Sequence, residues 1–251
     1  MRRWMIAGNW KMNKNIEESR KLAKDIVDFS KKVESGDIVI APPFTALKEV
    51  YEVTRGSKVK LAAQNCHFEE KGAYTGEVSL PMLKDVGCTH VIIGHSERRK
   101  YFSESDNIVN KKIKATLKWE VAPILCVGET EEERDTGITE YVVGTQIKKA
   151  LKGIEFSEKL VIAYEPVWAI GTGKNATPQQ AQEVHKFIRD VLRSIYGEKG
   201  GNLLILYGGS VTPDNIGDLI SMEDVDGVLV GGASLKSDSF IAIIEKTLEL
   251  K

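Results

Sequence analysis

The feature of this sequence that most constrains its fold is a repeat of short, continuously apolar runs separated by longer polar segments. Each run has the length of a strand and is rich in β-branched or aliphatic residues. The runs do not alternate between apolar and polar positions, which is typical of parallel strands that are covered on both faces. They occupy residues 4–10, 37–41, 59–63, 90–94, 121–127, 160–164, 203–207 and 227–230.

The segments between the runs carry the signals of amphipathic helices. Asn15 is followed three residues later by Glu18, which is a capping-box pattern, and apolar residues then recur at helical spacing. Thr177 and Pro178 mark a second helix start, with a capping hydroxyl and then a proline at the first helical position. These segments therefore predict helices between the strands.

The order of strands and helices favours one architecture. Strand-then-helix units follow one another along all 251 residues without a linker or a break in composition. This organisation predicts an α/β fold with a single (β/α)8 barrel domain over residues 1–251. A doubly wound open sheet is the alternative.

Charge and hydropathy exclude several classes of function. A formal net charge of -1, with lysines and arginines spread along the chain, gives no field that would attract nucleic acid or an anionic membrane. No apolar run approaches the roughly 18 residues that a membrane helix needs. The apolar start of the chain is interrupted by Asn9 and Lys11, so we interpret it as a strand and not as a signal peptide. We expect a cytoplasmic protein.

The cysteines and most of the histidines are assigned structural roles. The cysteines are scattered and odd in number, which suits reduced, buried thiols better than disulfides or a zinc cluster. They are Cys66, Cys88 and Cys126. Three histidines lack a setting that suggests chemistry, and these are His67, His90 and His185.

Chemically active residues follow several of the runs, and a barrel gathers the carboxyl ends of its strands at one rim. A carboxylate, an imidazole and an ammonium group would meet there, contributed by Glu165, His95 and Lys11. The carboxylate can accept a proton beside a carbonyl group, while the other two groups stabilise negative charge on oxygen. Glycines after the last two runs allow backbone N–H groups to approach a phosphate. The pattern predicts a phosphosugar isomerase.

Five segments in this order resemble the signature segments of the triosephosphate isomerase family. They are residues 8–13, 94–99, 163–174, 207–210 and 231–234. The resemblance covers the whole chain and implies reversible interconversion of dihydroxyacetone phosphate and D-glyceraldehyde 3-phosphate. It also implies that the enzyme needs no metal and no organic cofactor.

The resemblance also implies the catalytic roles. Glu165 would move the proton between two carbons. His95 would polarise the carbonyl group as a neutral imidazole, with its proton affinity lowered by a helix that begins near Ser96. Lys11 would neutralise the phosphate and the enediolate, and Glu97 is implied as a further catalytic residue.

A substrate-binding set and a lid follow from the same resemblance. The set contacts the phosphate and the substrate oxygens and comprises Asn9, Lys11, Gly171, Ser210, Gly231 and Gly232. Residues 166–176 resemble the family's closing lid, in which Ile170 would cover the base and exclude water. Asn175 stands where we expect threonine or a β-branched residue, a difference that bears on the rate of lid opening.

The resemblance also extends to a long loop after the third run, and it implies a homodimer. Residues 64–77 are too many for a simple connector and resemble the family's dimer loop. Thr75 at its tip would support Asn9 and Lys11 of a partner subunit.

Three alternatives compete with the isomerase. Residues 171–176 fit the G-x-G-x-x-A dinucleotide fingerprint, but they come several residues after the strand and end before the helix cap, so we reject a nicotinamide oxidoreductase on placement. An aldolase would need a Schiff-base lysine, whereas Lys11 beside Asn9 suits charge neutralisation better. A barrel that has lost catalysis is the third alternative, and the intact site residues argue against it.

Overall fold

A closed barrel of parallel strands forms the centre of the computed structural model, which describes residues 2–169 and 176–251. The strands pair in chain order, and the last pairs with the first. They are β1 (Met5–Asn9), β2 (Asp37–Ala41), β3 (Val59–Ala63), β4 (His90–Ile93), β5 (Ala122–Val127), β6 (Val161–Tyr164), β7 (Leu204–Tyr207) and β8 (Gly227–Val230). The predicted barrel and its strands are confirmed, with small differences at strand ends.

Helices connect successive strands and surround the barrel. They are α1 (Ile16–Ser30), α2 (Leu47–Thr54), α3 (Leu80–Asp85), α4 (Ser96–Phe102), α5 (Asp106–Lys118), α6 (Glu131–Asp135), α7 (Thr139–Ala150), α8 (Pro178–Tyr196), α9 (Ile216–Ile220) and α10 (Ser237–Leu250). Short 3-10 turns cover Phe44–Ala46, Val167–Ala169, Gly197–Asn202 and Gly232–Leu235. Each strand thus delivers its carboxyl end to the same rim of the barrel.

Two apolar layers explain why the strands are continuously apolar. Side chains from alternate positions fill the barrel interior, among them Met5, Ile92 and Leu206. The intervening positions face the helices and join a larger core that contains Ile6 and Ile93. Because both faces of every strand are buried, neither face tolerates a polar run.

The two predicted helix starts are confirmed in atomic detail. The side chain of Asn15 accepts the N–H of Glu18, and the Glu18 carboxylate accepts the N–H of Asn15. Thr177 and Gln180 form the same reciprocal pair ahead of α8, which has Pro178 at its first position. Such caps satisfy backbone N–H groups that the first turn of a helix leaves without partners.

The cysteines are free and buried, as predicted. Burial raises the pKa of Cys66 to about 11 and that of Cys88 to about 12, so these thiols stay protonated and unreactive near neutral pH. Burial also lowers the pKa of His185 to about 4, so its imidazole is neutral. Over residues 2–169 and 176–251, no helix combines the length and the apolar character that spanning a membrane requires.

Candidate active site

A cavity of about 280 Å³ opens at the carboxyl ends of the strands. Its walls come from the loops after β1, β4, β6, β7 and β8, so residues far apart in sequence meet there. The lining residues are Asn9, Lys11, His95, Glu165, Gly208, Gly209, Ser210, Val211, Thr212, Leu229, Gly231, Gly232 and Ala233. In a (β/α)8 barrel, this rim is where substrates bind.

A buried carboxylate and a buried imidazole contact each other in this cavity. Glu165 Oε1 lies 2.9 Å from His95 Nε2, and the other carboxylate oxygen accepts the backbone N–H of Ser96 at 2.9 Å. Glu165 is 2% exposed and His95 5%. Burial would raise the pKa of Glu165, but His95 and the Ser96 N–H hold it below its ordinary value. The carboxylate is therefore ionised near neutral pH.

Two opposing effects act on the pKa of His95. Burial lowers it, whereas the Glu165 carboxylate raises it through charge attraction and a hydrogen bond, and the net direction is upward. This differs from the lowering expected from the helix start, because attraction by Glu165 and Glu97 outweighs burial and the repulsion of Lys11. The N–H of Glu97 donates to His95 Nδ1 at 3.2 Å, which assigns the ring proton of the neutral imidazole to Nε2, facing Glu165.

The ammonium group of Lys11 is held beside this pair. Its Nζ donates to Glu97 Oε1 at 2.7 Å. Lys11 has a φ of 52°, in the left-handed region that residues other than glycine seldom adopt. Asn9 Oδ1 accepts the Lys11 N–H at 3.0 Å, and the Gln64 amide donates to the Lys11 carbonyl oxygen at 2.8 Å. These bonds fix the strained backbone so that the side chain enters the cavity.

The loops after β7 and β8 place glycines next to the charged groups, so no side chain fills the space there. A Cβ added to Gly208 would lie 3.0 Å from Glu165 Cγ, and one added to Gly231 would lie 3.8 Å from Lys11 Nζ. Asn215 holds the first loop by donating to the Ser210 carbonyl oxygen at 3.0 Å. Polar backbone therefore approaches the space above Lys11, as phosphate binding requires. Within the described part of the chain, no group of three or more His, Cys, Asp or Glu side chains is arranged to hold a metal ion.

Comparison with known proteins identifies the family of this chain. The sequence model described as "Triosephosphate isomerase" matches residues 4–247. The chain belongs to the triosephosphate isomerase family. Triosephosphate isomerase from Carboxydothermus hydrogenoformans is 53% identical over 251 residues, which cover 99% of this chain and 100% of that protein. The enzyme from Aquifex aeolicus is 51% identical over 245 residues, which cover 97% and 99% of the two chains.

A solved structure in the triosephosphate isomerase family has the same architecture. The crystal structure of triosephosphate isomerase from Bartonella henselae matches with a TM-score of 0.91 at 40% sequence identity. The match covers 97% of this chain and 98% of that one. The likeness therefore extends across the whole barrel.

Most of the residues singled out by resemblance to triosephosphate isomerases lie together. Those that line the cavity are Asn9, Lys11, His95, Glu165, Ser210, Gly231 and Gly232. Glu97 does not line it, and reaches it through its ion pair with Lys11. Gly171 lies outside the described residues, together with Ile170 and Asn175 of the expected lid. Thr75 is exposed on the loop after β3.

Some residues that shape this site were not predicted from the sequence. Thr212 and Leu229 line the cavity, and Gln64 supports Lys11 from the loop after β3. Gln64 directly follows β3, so the rule that site residues follow barrel strands would have found it. The partners of Thr212 and Leu229 depend on tertiary packing, for which the sequence has no local signal.

Proposed function

We propose that this protein interconverts dihydroxyacetone phosphate and D-glyceraldehyde 3-phosphate, with Glu165 as the base. The reaction belongs to glycolysis and gluconeogenesis. Glu165, His95 and Lys11 lie together in one cavity lined by glycine-bearing loops, and this observation supports the roles assigned to them. Residues 1–251 would act as one barrel domain, without a metal or an organic cofactor.

The first step is removal of a proton from the carbon beside the carbonyl group. The Glu165 carboxylate takes the C1 proton of dihydroxyacetone phosphate, and the electron pair of the broken C–H bond forms the enediolate. The proton returns from Glu165 to C2 while the proton of the C1 hydroxyl moves to the C2 oxygen, which gives D-glyceraldehyde 3-phosphate without any other reactant. The low pKa of Glu165 supports this role because the base is ionised before substrate arrives.

His95 stabilises the oxygen that becomes negative. Its Nε2–H now points at Glu165, and the substrate oxygen would take the place of the carboxylate as the acceptor. Once Glu165 has accepted a proton it no longer attracts positive charge, so the effect that raises the pKa of His95 is lost and burial keeps the imidazole neutral. The neutral imidazole can give its Nε2 proton to the C2 oxygen and take the proton of the C1 hydroxyl in return, so it ends the cycle unchanged.

Lys11 and the glycine-bearing loops hold the phosphate. The ammonium group lies near Gly231, and Gly232 has open space where a side chain would begin. Backbone N–H groups of Ser210, Gly231, Gly232 and Gly171 would donate to the phosphate, with Asn9 and Lys11 on the other side of the substrate. Glu97 would act by fixing Lys11, to which its carboxylate is bonded.

Residues 166–176 would close over the occupied site. Pro166 is buried and packs near Gly209, where an added Cβ would meet its ring at 3.0 Å. A lid that starts from this fixed residue would exclude water and retain the enediolate. Asn175 would affect how fast the lid opens.

A coupled assay tests the activity. Production of D-glyceraldehyde 3-phosphate from dihydroxyacetone phosphate is followed with an NAD-dependent dehydrogenase, with chelator present in a parallel sample. We expect turnover that the chelator leaves unchanged. Folded protein without turnover would refute the proposed function.

The protein would act in the cytoplasm as a homodimer. Met12, Phe44 and Tyr74 expose 95%, 39% and 46% of their surface on segments that follow β1, β2 and β3, which supports a partner at this rim. Thr75 would reach the partner's site from the same loop as Tyr74. Analytical ultracentrifugation should give twice the chain mass, and Thr75→Arg should shift the equilibrium to monomer.

A further inference from the structure

The backbone that follows β5 lies directly against the backbone of Glu165. The Glu165 N–H donates to the Val127 carbonyl oxygen at 2.7 Å, and the Val167 N–H donates to the Glu129 carbonyl oxygen at 3.1 Å. Between these two bonds, a Cβ added to Gly128 would lie 1.7 Å from the carbonyl oxygen of Glu165. The placement of residues 127–129 therefore sets the placement of Glu165 and of the segment that leads into the lid.

The hydrogen-bonded pairing of β4 with β5 ends before the chain reaches Gly128. Its register runs to Ile93 and Leu125. Beyond it, the Arg99 guanidinium donates to the carbonyl oxygen of Gly94 at 2.8 Å and to that of Cys126 at 3.2 Å, in place of strand pairing. Gly128 thus requires partners from outside the sheet, because unpaired backbone groups in such a place are costly.

Gln146 of α7 supplies both partners. Its Oε1 accepts the Gly128 N–H at 2.8 Å, and its Nε2 donates to the Gly128 carbonyl oxygen at 3.0 Å. One side-chain amide thus imitates the edge of a neighbouring strand. The buried face of α7 fixes the helix against the barrel through Val143 and Ile147, so the amide is held by a rigid element.

We propose that Gln146 is a positioning residue for the isomerase reaction, which acts by fixing the backbone of Gly128 behind the Glu165 base. The inference rests on the proposed role of Glu165. Gln146 does not line the cavity and touches no expected substrate group. Its loss should therefore affect proton transfer and leave phosphate binding intact.

The primary test replaces Gln146 by an apolar side chain of similar size. In Gln146→Leu, we expect kcat to fall about tenfold or more, because a small displacement of a base is costly for proton transfer. KM and inhibition by inorganic phosphate should stay within about twofold of wild type. An unchanged kcat, or a raised KM with normal kcat, would overturn the proposal.

Gln182 provides a matched control. Its amide also makes two bonds to one residue, donating to Asp224 Oδ2 at 2.6 Å and accepting the Asp224 N–H at 2.9 Å. Asp224 precedes β8, Gln182 belongs to α8, and neither residue lines the cavity. Gln182→Leu should lower the melting temperature yet leave kcat at the wild-type value, and an equal loss of kcat in both variants would contradict a specific role for Gln146.

A second variant keeps the proposal testable if Gln146→Leu does not fold. In Gln146→Glu, one oxygen still accepts the Gly128 N–H, but the other faces the Gly128 carbonyl oxygen and can donate only when the carboxyl group is protonated. The kcat of this variant, divided by that of wild type at the same pH, should rise as pH falls. A ratio near one at every pH would overturn the proposal.

Wild-type protein is measured in the same assay. Without wild-type turnover, the proposed function itself fails. With wild-type turnover and a normal Gln146→Leu enzyme, only the positioning role fails.

Discussion

Glu165 Oε1 lies 2.9 Å from His95 Nε2, a contact that joins the carboxyl ends of β6 and β4 across the mouth of the barrel. The contact lowers the pKa of the carboxyl group and raises that of the imidazole. Because each group changes the proton affinity of the other, the pair titrates as a unit. Replacing one member should therefore change the pH dependence that the other produces.

His95→Gln should move the acid limb of kcat/KM to higher pH. Glu165 works in its ionised form, and its pKa lies below the ordinary 4.5 partly because of His95, so losing the imidazole lets that pKa rise. We also expect kcat to fall about a hundredfold, because a weaker donor faces the developing oxyanion. A pH–rate profile measured where circular dichroism shows folded protein tests this, and an acid limb at the wild-type position would refute it.

Gly208→Ala should slow turnover by crowding the base. The added methyl group would lie 3.0 Å from Glu165 Cγ and 3.2 Å from the Tyr164 carbonyl oxygen, so the carboxylate must shift. We expect kcat to fall about tenfold or more, since proton transfer depends steeply on position. Gly217→Ala is the control, because its nearest neighbour would be Leu250 Cδ1 at 3.8 Å. Equal kcat values for the two variants would show that Gly208 gives Glu165 no necessary space.

Neutral buried histidines should make the protein sensitive to mild acid. Burial lowers the pKa of His185 from 6.5 to about 4 among Arg189, Asp224 and Asp226. Between these two pH values the unfolded chain binds a proton that the folded chain does not, so the free energy of unfolding falls as pH falls. His90, whose pKa is also lowered to about 4 by burial, acts in the same direction.

Denaturant unfolding of wild type and His185→Gln at pH 7 and pH 5 measures this effect. Wild type should lose more unfolding free energy between the two pH values than the variant does. The comparison uses the pH-dependent difference, so a constant loss of stability in the variant does not affect it. Identical losses in the two proteins would show that His185 does not titrate differently on folding.

The barrel was predictable because its signals are local. A strand buried on both faces must be continuously apolar, so runs such as residues 160–164 indicate both the strand and its environment. Asn15 and Thr177 satisfy helix N–H groups three residues away, and that spacing is visible in sequence. Most of the cavity lining followed from its position directly after strand ends.

Other features of the site depend on contacts that no local pattern records. The bonds of Gln64 to Lys11 and of Gln146 to Gly128 join residues 53 and 18 positions apart. The upward direction of the His95 pKa results from the side-chain orientation of Glu165, whereas the sequence indicated only a nearby helix start. Gly171 and Ile170 lie outside the described residues, so their roles stay predictions.

The most direct measurement compares wild type with Glu165→Asp, in which the carboxylate is withdrawn by one methylene group. Both kcat for dihydroxyacetone phosphate and inhibition by inorganic phosphate are determined on the same preparations. If Glu165 transfers the proton, kcat should fall about a hundredfold while inhibition by phosphate stays within about twofold. Normal turnover together with lost phosphate inhibition would contradict the role of Glu165 as the base.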